Sequence, residues 1–229
     1  MKVTDLSKIE YRKMNRKDHE IVRDLIFDVY HETWDYKSEP QKDSSVPGRM
    51  YESSKTPRMI SSLYLNCLMS QSDYIRVADY RDEVIGVIFA ANGKCASMHA
   101  GVKGAPVKLR LQQHPEGKAN IKYMNKLAEM HRQLMSRAED PVDSQVLFLS
   151  VRKKYRRNGV GQALLDGLYE EQKQRGKGNV FLQADLTSNH GFLENRGFVR
   201  TAVEEQMTEH KNRRYREQLT LYKKESVEV

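Results

Sequence analysis

Between Ser150 and Ala163 the chain reads Ser-Val-Arg-Lys-Lys-Tyr-Arg-Arg-Asn-Gly-Val-Gly-Gln-Ala. The apolar run Gln145-Val146-Leu147-Phe148-Leu149 before it has the length of a buried strand, and Leu164, Leu165 and Leu168 follow at helical spacing. The segment is therefore a strand, a basic glycine loop and a helix. At the start of such a helix the first-turn amides point into the loop without intrahelical partners, and the glycines let a ligand approach with no Cβ in the way. The partial positive charge of the helix start, with Arg156 and Arg157 beside it, suits a phosphate. A dinucleotide fingerprint would need a third glycine where Leu164 stands, and a P-loop would need Gly-Lys followed by Ser or Thr. Neither is present. What remains is Arg-x-x-Gly-x-Gly, from Arg156 through Gly159 to Gly161, either an anion loop of another kind or a tight strand-to-helix turn on a basic chain.

The length of 229 residues fits one domain over 1–229. Lys8 to Met14 reads as a first strand, and Asp18 precedes Ile21, Val22, Leu25, Ile26 and Val29 as an acidic cap before one face of a helix. From His31 to Lys55 the apolar pattern lapses around Pro40, Pro47 and Gly48, which predicts a long flexible connection. Thr56-Pro57 then opens a helix bearing Ile60, Leu63, Tyr64, Cys67 and Leu68. Tyr74 to Tyr80 and Glu83 to Ala91, parted by Arg81-Asp82, predict a hairpin. The stretch 92–117, rich in glycine and proline, is expected to be a second flexible segment. Ile121, Met124, Leu127, Ala128, His131, Leu134 and Met135 form the next apolar helix face, where a histidine is expected as a satisfied core residue. Beyond the glycine loop come a strand at Val180 to Asp185, a short helix at Ser188 to Asn195 ending at Gly197, a strand at Phe198 to Glu205, a basic connection at His210 to Arg216, and a strand at Gln218 to Tyr222. The fold class is α/β (α+β), a mixed sheet of about seven strands flanked by helices.

The net charge of +8 comes from basic residues interleaved with acids, which favours a basic surface with an anionic ligand over a nucleic-acid stripe. Cys67 and Cys95 lack paired spacing, so neither a disulfide framework nor a metal site is expected, and a reducing, cytoplasmic setting fits. No leader-like run opens the chain, and no stretch approaches the roughly 20 apolar residues of a membrane span. No membrane partner is expected.

Element order and motifs together resemble the GCN5-related N-acetyltransferase (GNAT) superfamily. Leu149-Ser150-Val151 with Tyr155 to Gly161 is similar to its main cofactor motif, and Asn189 with Phe192-Leu193-Glu194-Asn195-Arg196-Gly197-Phe198 is similar to its second. Within it, Glu39-Pro40, Glu83-Val84-Ile85-Gly86-Val87 and the lysine-bearing helix before Leu149 resemble arylalkylamine N-acetyltransferase-like members of invertebrates. The resemblance implies direct transfer of an acetyl group from acetyl-CoA to an amine. It implies pantetheine held along Leu149 to Val151, the Val151 amide as donor to the thioester carbonyl, and amides of Asn158, Gly159, Val160, Gly161 and Gln162 on the pyrophosphate. Arg156 or Arg157 would add charge, and Asn189 would touch the pantetheine.

An aliphatic amine has a pKa of about 10, so a base must take a proton before attack. The candidates are Glu39, which the resemblance favours, Glu32 and Asp185. Where many superfamily members carry a tyrosine that protonates the thiolate, this chain has Leu193; Ser188 or Tyr222 would serve instead, or the thiolate would leave unassisted. The expected acceptor is a small-molecule amine, with a protein lysine or N-terminus, or a silent acyl-CoA-binding role, as alternatives. A monomer or homodimer is expected.

Overall fold

The computed structural model describes residues 6–37, 55–93, 105–210 and 213–225. Its strands β1 (Ile9–Lys13), β2 (Tyr74–Tyr80), β3 (Glu83–Asn92), β4 (Ser144–Val151), β5 (Asn179–Asp185), β6 (Val199–His210) and β7 (Arg213–Glu225) form one seven-stranded sheet in the order β1-β2-β3-β4-β5-β7-β6. Every neighbouring pair is antiparallel except β4 with β5. This is the mixed sheet that the sequence pattern predicts. Arg81 and Asp82 both take positive φ, 55° and 64°, as the tight turns matching strand twist require, and they close the β2–β3 hairpin.

Six helices flank the sheet among the described residues: α1 (His19–Lys37), α2 (Lys55–Gln71), α3 (Ala105–Gln112), α4 (Pro115–Ser136), α5 (Val160–Gln174) and α6 (His190–Glu194). Strand alternation sorts their contacts by face. On one face, Leu164, Leu165 and Leu168 of α5 and Leu193 of α6 pack with Ile88, Val146, Val180, Leu182 and Tyr222. The opposite face is divided. Val22, Leu25 and Ile26 of α1 and Leu65 and Leu68 of α2 cover Val87, Phe89 and Phe148, whereas Met130, Leu134 and Met135 of α4 cover Phe181, Leu219 and Leu221. A further cluster of Ile60, Leu63, Leu111, Ile121 and Met124 ties α2, α3 and α4 together.

The start of α1 is built differently from a simple acidic cap. Asn15 caps the short 3-10 turn Arg16–Asp18 that leads into α1, and Asp18 accepts from the Asn15 amide at 2.7 Å. The Asp18 carboxylate is buried and also receives Arg12 at 2.7 and 2.9 Å, while Arg12 reaches Asp79 at 2.6 Å. Burial opposes ionisation of Asp18, and the bonds from Arg12 and Asn15 outweigh it, leaving its carboxyl below the usual carboxylate range.

Three expectations need correction. The helix α1 runs on to Lys37, into the stretch 31–55 predicted as a connection, because no proline stands before Pro40 to stop it; residues 38–54 lie outside those described. The stretch 92–117 contains all of α3 and the start of α4. Its Pro106 and Pro115 read as breakers, yet both sit in first helical turns, where a missing N–H costs nothing. The supposed connection 210–216 is the tip of a long hairpin, with β6 reaching His210 and β7 starting at Arg213. Cross-strand charge pairs such as Arg216 with Glu205, at 2.5 Å, support strands there without apolar density.

The turn from α3 into α4 depends on Gly117. A Cβ there would stand 2.0 Å from the Leu111 carbonyl oxygen and 2.7 Å from its carbon. Gly117→Ala is therefore expected to cost about 1–3 kcal/mol in urea unfolding. Gly191→Ala, where the nearest atom is 3.8 Å away, serves as the neutral control.

Candidate active site

Parallel pairing of β4 with β5 is confined to Ser144, Gln145 and Val146 opposite Val180, Phe181 and Leu182. Beyond that point the two strands part, although β4 continues to Val151 beside β3 and β5 to Asp185 beside β7. The Arg152 amide donates to the Ile85 carbonyl at 2.8 Å, and Ser150 lies opposite Val87. Antiparallel alternation then turns the amides of Leu149 and Val151 away from β3, toward the parted edge. The Val151 carbonyl faces the same way and accepts from Arg156 Nε at 2.9 Å.

The glycine loop closes one end of this opening. Gly159 caps α5 in the left-handed region, φ 75°, with no side-chain bond to the helix, and the first backbone bond of α5 runs from the Ala163 amide to the Gly159 carbonyl at 2.9 Å. The amides of Val160, Gly161 and Gln162 precede that bond and are available to an anion. Arg157 is exposed and also has positive φ, 63°. A non-glycine residue in that region marks a loop held by its surroundings. Part of what holds it is Asn158, whose Nδ2 donates to the carbonyls of Tyr155 and Arg156, each at 3.1 Å.

Glu83, at the start of β3, fixes the loop from the other side. It accepts from Tyr155 Oη at 2.8 Å, lies 3.0 Å from Lys154 Nζ and 3.3 Å from Arg152 Nη1. Burial opposes its ionisation, but the bonds from Lys154 and Tyr155 and the charges of Lys154 and Arg152 prevail, so its carboxyl titrates below the ordinary value. Gly161 faces Phe192 of α6 and Val151, and a Cβ there would stand 3.6 Å from each. The arrangement therefore offers free helix-start amides, flanking cations and a strand edge for an extended chain, which fits a pyrophosphate joined to a long amide-bearing arm.

Residues 107–212 match the family model described as Acetyltransferase (GNAT) domain. Over that stretch, a little under half of the chain, the sequence is similar to a GNAT acetyltransferase domain. Solved structures share the fold over almost the whole chain. SsHAT is 16% identical, covering 96% of this chain and all of that one (100%), with a TM-score of 0.61. A histone acetyltransferase HPA2 and related acetyltransferase from Corynebacterium glutamicum is 17% identical over 97% of this chain and 99% of that one, TM-score 0.55. An N-acetyltransferase from Staphylococcus aureus Mu50 is 13% identical over 95% and 98%, TM-score 0.51. At such identities the likeness is one of fold. A comparison with curated proteins found no match. The domain match supports an acetyl-CoA-dependent N-acetyltransferase, and GNAT acetyltransferases use acetyl-CoA as co-substrate.

The remaining candidates are distributed unevenly. Asp185 and Ser188 are brought together, but as a turn: Asp185 Oδ1 accepts from the Thr187 amide at 3.0 Å, Thr187 Oγ1 at 2.8 Å and Ser188 Oγ at 2.8 Å. Asn189 caps α6, its Oδ1 accepting from the Phe192 amide at 3.1 Å. Leu193 is buried in the core. Glu39 lies outside the described residues, and the side chain of Glu32 does too.

Two histidines hold more than their sequence setting suggests. His190 Nε2 lies 2.9 Å from the Asp185 carbonyl and Nδ1 2.8 Å from the hydroxyl of the fully buried Tyr222. Arg200 Nε donates to that hydroxyl at 3.0 Å, and Glu194 lies 3.2 Å from it. Burial pushes the Tyr222 hydroxyl up, against the bond from Arg200. His131 of α4 meets Gln183 of β5. The sequence gives the apolar stripe that carries His131, but no local pattern says which strand residue stands opposite.

Because an added Cβ at Gly161 meets only ordinary contacts, the site can separate bulk from charge. Gly161→Ala is expected to keep acetyl-CoA binding, and Gly161→Glu to abolish it by placing a carboxylate among the helix-start amides. Titration calorimetry reads both.

Proposed function

We propose that this chain moves an acetyl group from acetyl-CoA directly to the primary amine of a small molecule, acting as one domain. The observation that carries the reading is the parting of β4 and β5 next to the uncapped start of α5. Leu149 and Val151 would bond the pantetheine arm as an added strand does. The Val151 amide would donate to the thioester carbonyl, where negative charge grows as the amine attacks. Val160, Gly161 and Gln162 would hold the pyrophosphate through their amides, with Asn158 and Gly159 shaping the loop. Arg157 would supply the closing charge, and Arg156 would do so from its anchor on Val151.

On the acceptor side, the likeness of the Glu39-Pro40 segment to arylalkylamine acetyltransferases favours arylalkylamines, with polyamines next. Leu193 offers no proton to the leaving thiolate. A thiol with a pKa of about 8.5 leaves adequately without one. Asp185 would act mainly by holding the turn that carries Ser188 and Asn189.

Thiol release from acetyl-CoA, followed against arylalkylamines, polyamines, amino acids and a lysine peptide, is expected to respond to the small amines, and to arylalkylamines most strongly. Turnover of the peptide alone would replace the reading with protein acetylation. Tight acetyl-CoA binding with no turnover would leave only a binding module.

A further inference from the structure

His131 is half-buried where α4 lies over β5. Its Nδ1 meets Gln183 Oε1, and Gln183 Nε2 donates back to the His131 carbonyl oxygen at 2.8 Å. Each bond fixes the other. A carbonyl oxygen only accepts, so the amide nitrogen of Gln183 must face it and the amide oxygen must face the ring. An acceptor at Nδ1 then requires the ring proton there, and the neutral ring keeps its lone pair at Nε2. Among the described residues Nε2 has no hydrogen-bond partner.

The place matters as much as the tautomer. Gln183 is the first residue of β5 beyond the paired stretch that ends at Leu182, so the ring stands where the strands begin to part. It stands on the face opposite α5, since Phe181 packs under α4 whereas Val180 and Leu182 pack toward α5 and α6. Burial lowers the affinity of the ring for a proton, and the bond to Gln183 and the charge of Asp185 oppose that only in part. Of the charged groups on the elements packed there, Glu129 of α4 is engaged by Arg132 and Gln133, Glu217 of β7 by Tyr123, and Lys223 of β7, opposite Phe181, by Asp140 and Glu225.

We propose that His131 is the base of this site, with Nε2 taking, through water along the parted edge, the proton that the acceptor ammonium must lose before its nitrogen can attack. The inference rests on the acetyltransferase reading above. The nitrogen forms a bond to the thioester carbonyl carbon, and the carbon–sulfur bond breaks with its electron pair on sulfur. The second nitrogen proton neutralises the thiolate, and the imidazolium returns the first to water. Gln183 is a positioning residue that holds the tautomer.

The test is steady-state turnover of the best amine by the full chain across pH, with acetyl-CoA affinity measured by calorimetry. His131→Gln is expected to lower kcat by about 100-fold or more, as loss of a general base does, with acetyl-CoA affinity unchanged. Gln183→Glu keeps an acceptor at Nδ1, gives up the bond to the His131 carbonyl oxygen and adds a negative charge, which favours the imidazolium. Activity needs the unprotonated ring, so the acidic limb of its pH profile should move to higher pH. Wild-type turnover with His131→Gln within about threefold of it, or an unmoved limb in Gln183→Glu, overturns the assignment of His131 alone. Loss of activity in Glu39→Gln with normal His131→Gln moves the base to Glu39. Absence of wild-type turnover on every amine overturns this inference together with the reading it rests on.

Discussion

The short parallel pairing of β4 with β5 sets the geometry of everything near the site. Each strand is held along its length by an antiparallel neighbour, β4 by β3 and β5 by β7, so neither can swing across to close the opening. The sheet thus continues through its middle by three residue pairs and then divides. Backbone groups left at such an edge need partners, and an extended ligand supplies them at little cost in side-chain ordering. Donors fixed by the main chain also need no rearrangement when charge develops, which is what makes oxyanion contacts effective.

A basic loop beside this opening would repel itself unless its cations had places to go. Arg152 is taken by Glu83 and by the Val84 carbonyl, at 3.0 Å, Lys154 by Glu83, and Arg156 by the Val151 carbonyl. Arg157 is left exposed at the turn. Most of the local charge is thereby spent on holding the loop in shape, and the helix-start amides carry the anion-binding role. Glu83 connects this to the β2–β3 hairpin. Its position follows directly from the two-residue turn at Arg81 and Asp82.

Legibility in the sequence followed the range of the interactions. The β2–β3 hairpin, the glycine loop and the α5 stripe depend on neighbours a few residues apart, and all three could be read from spacing. Pro106 and Pro115 misled because proline marks a helix start as readily as a helix stop, and only the chain after it decides. The β6–β7 tip misled because the sequence there is rich in charge and poor in apolar alternation, while the strands are supported by pairing and by charge pairs such as Arg216 with Glu205. The network of His190, Tyr222, Arg200 and Glu194 joins the short helix to two strands, and nothing in the order of those residues announces it.

His131 is the sharpest case, because its apolar stripe is legible in the sequence and the strand residue that it meets is not. Leu127, Met130, Leu134 and Met135 do pack against the sheet, as a core face should. The same helix passes over β5 where its inward residues are Phe181 and then Gln183. Over Phe181 the helix face is ordinary core; one strand step further the partner is polar and the sheet is opening. A histidine placed there satisfies one nitrogen with Gln183 and keeps the other uncommitted, whereas deeper under α4 both would need partners to offset burial. The difference between a core histidine and a functional one is thus about one strand repeat along β5, set by how long β4 and β5 stay paired.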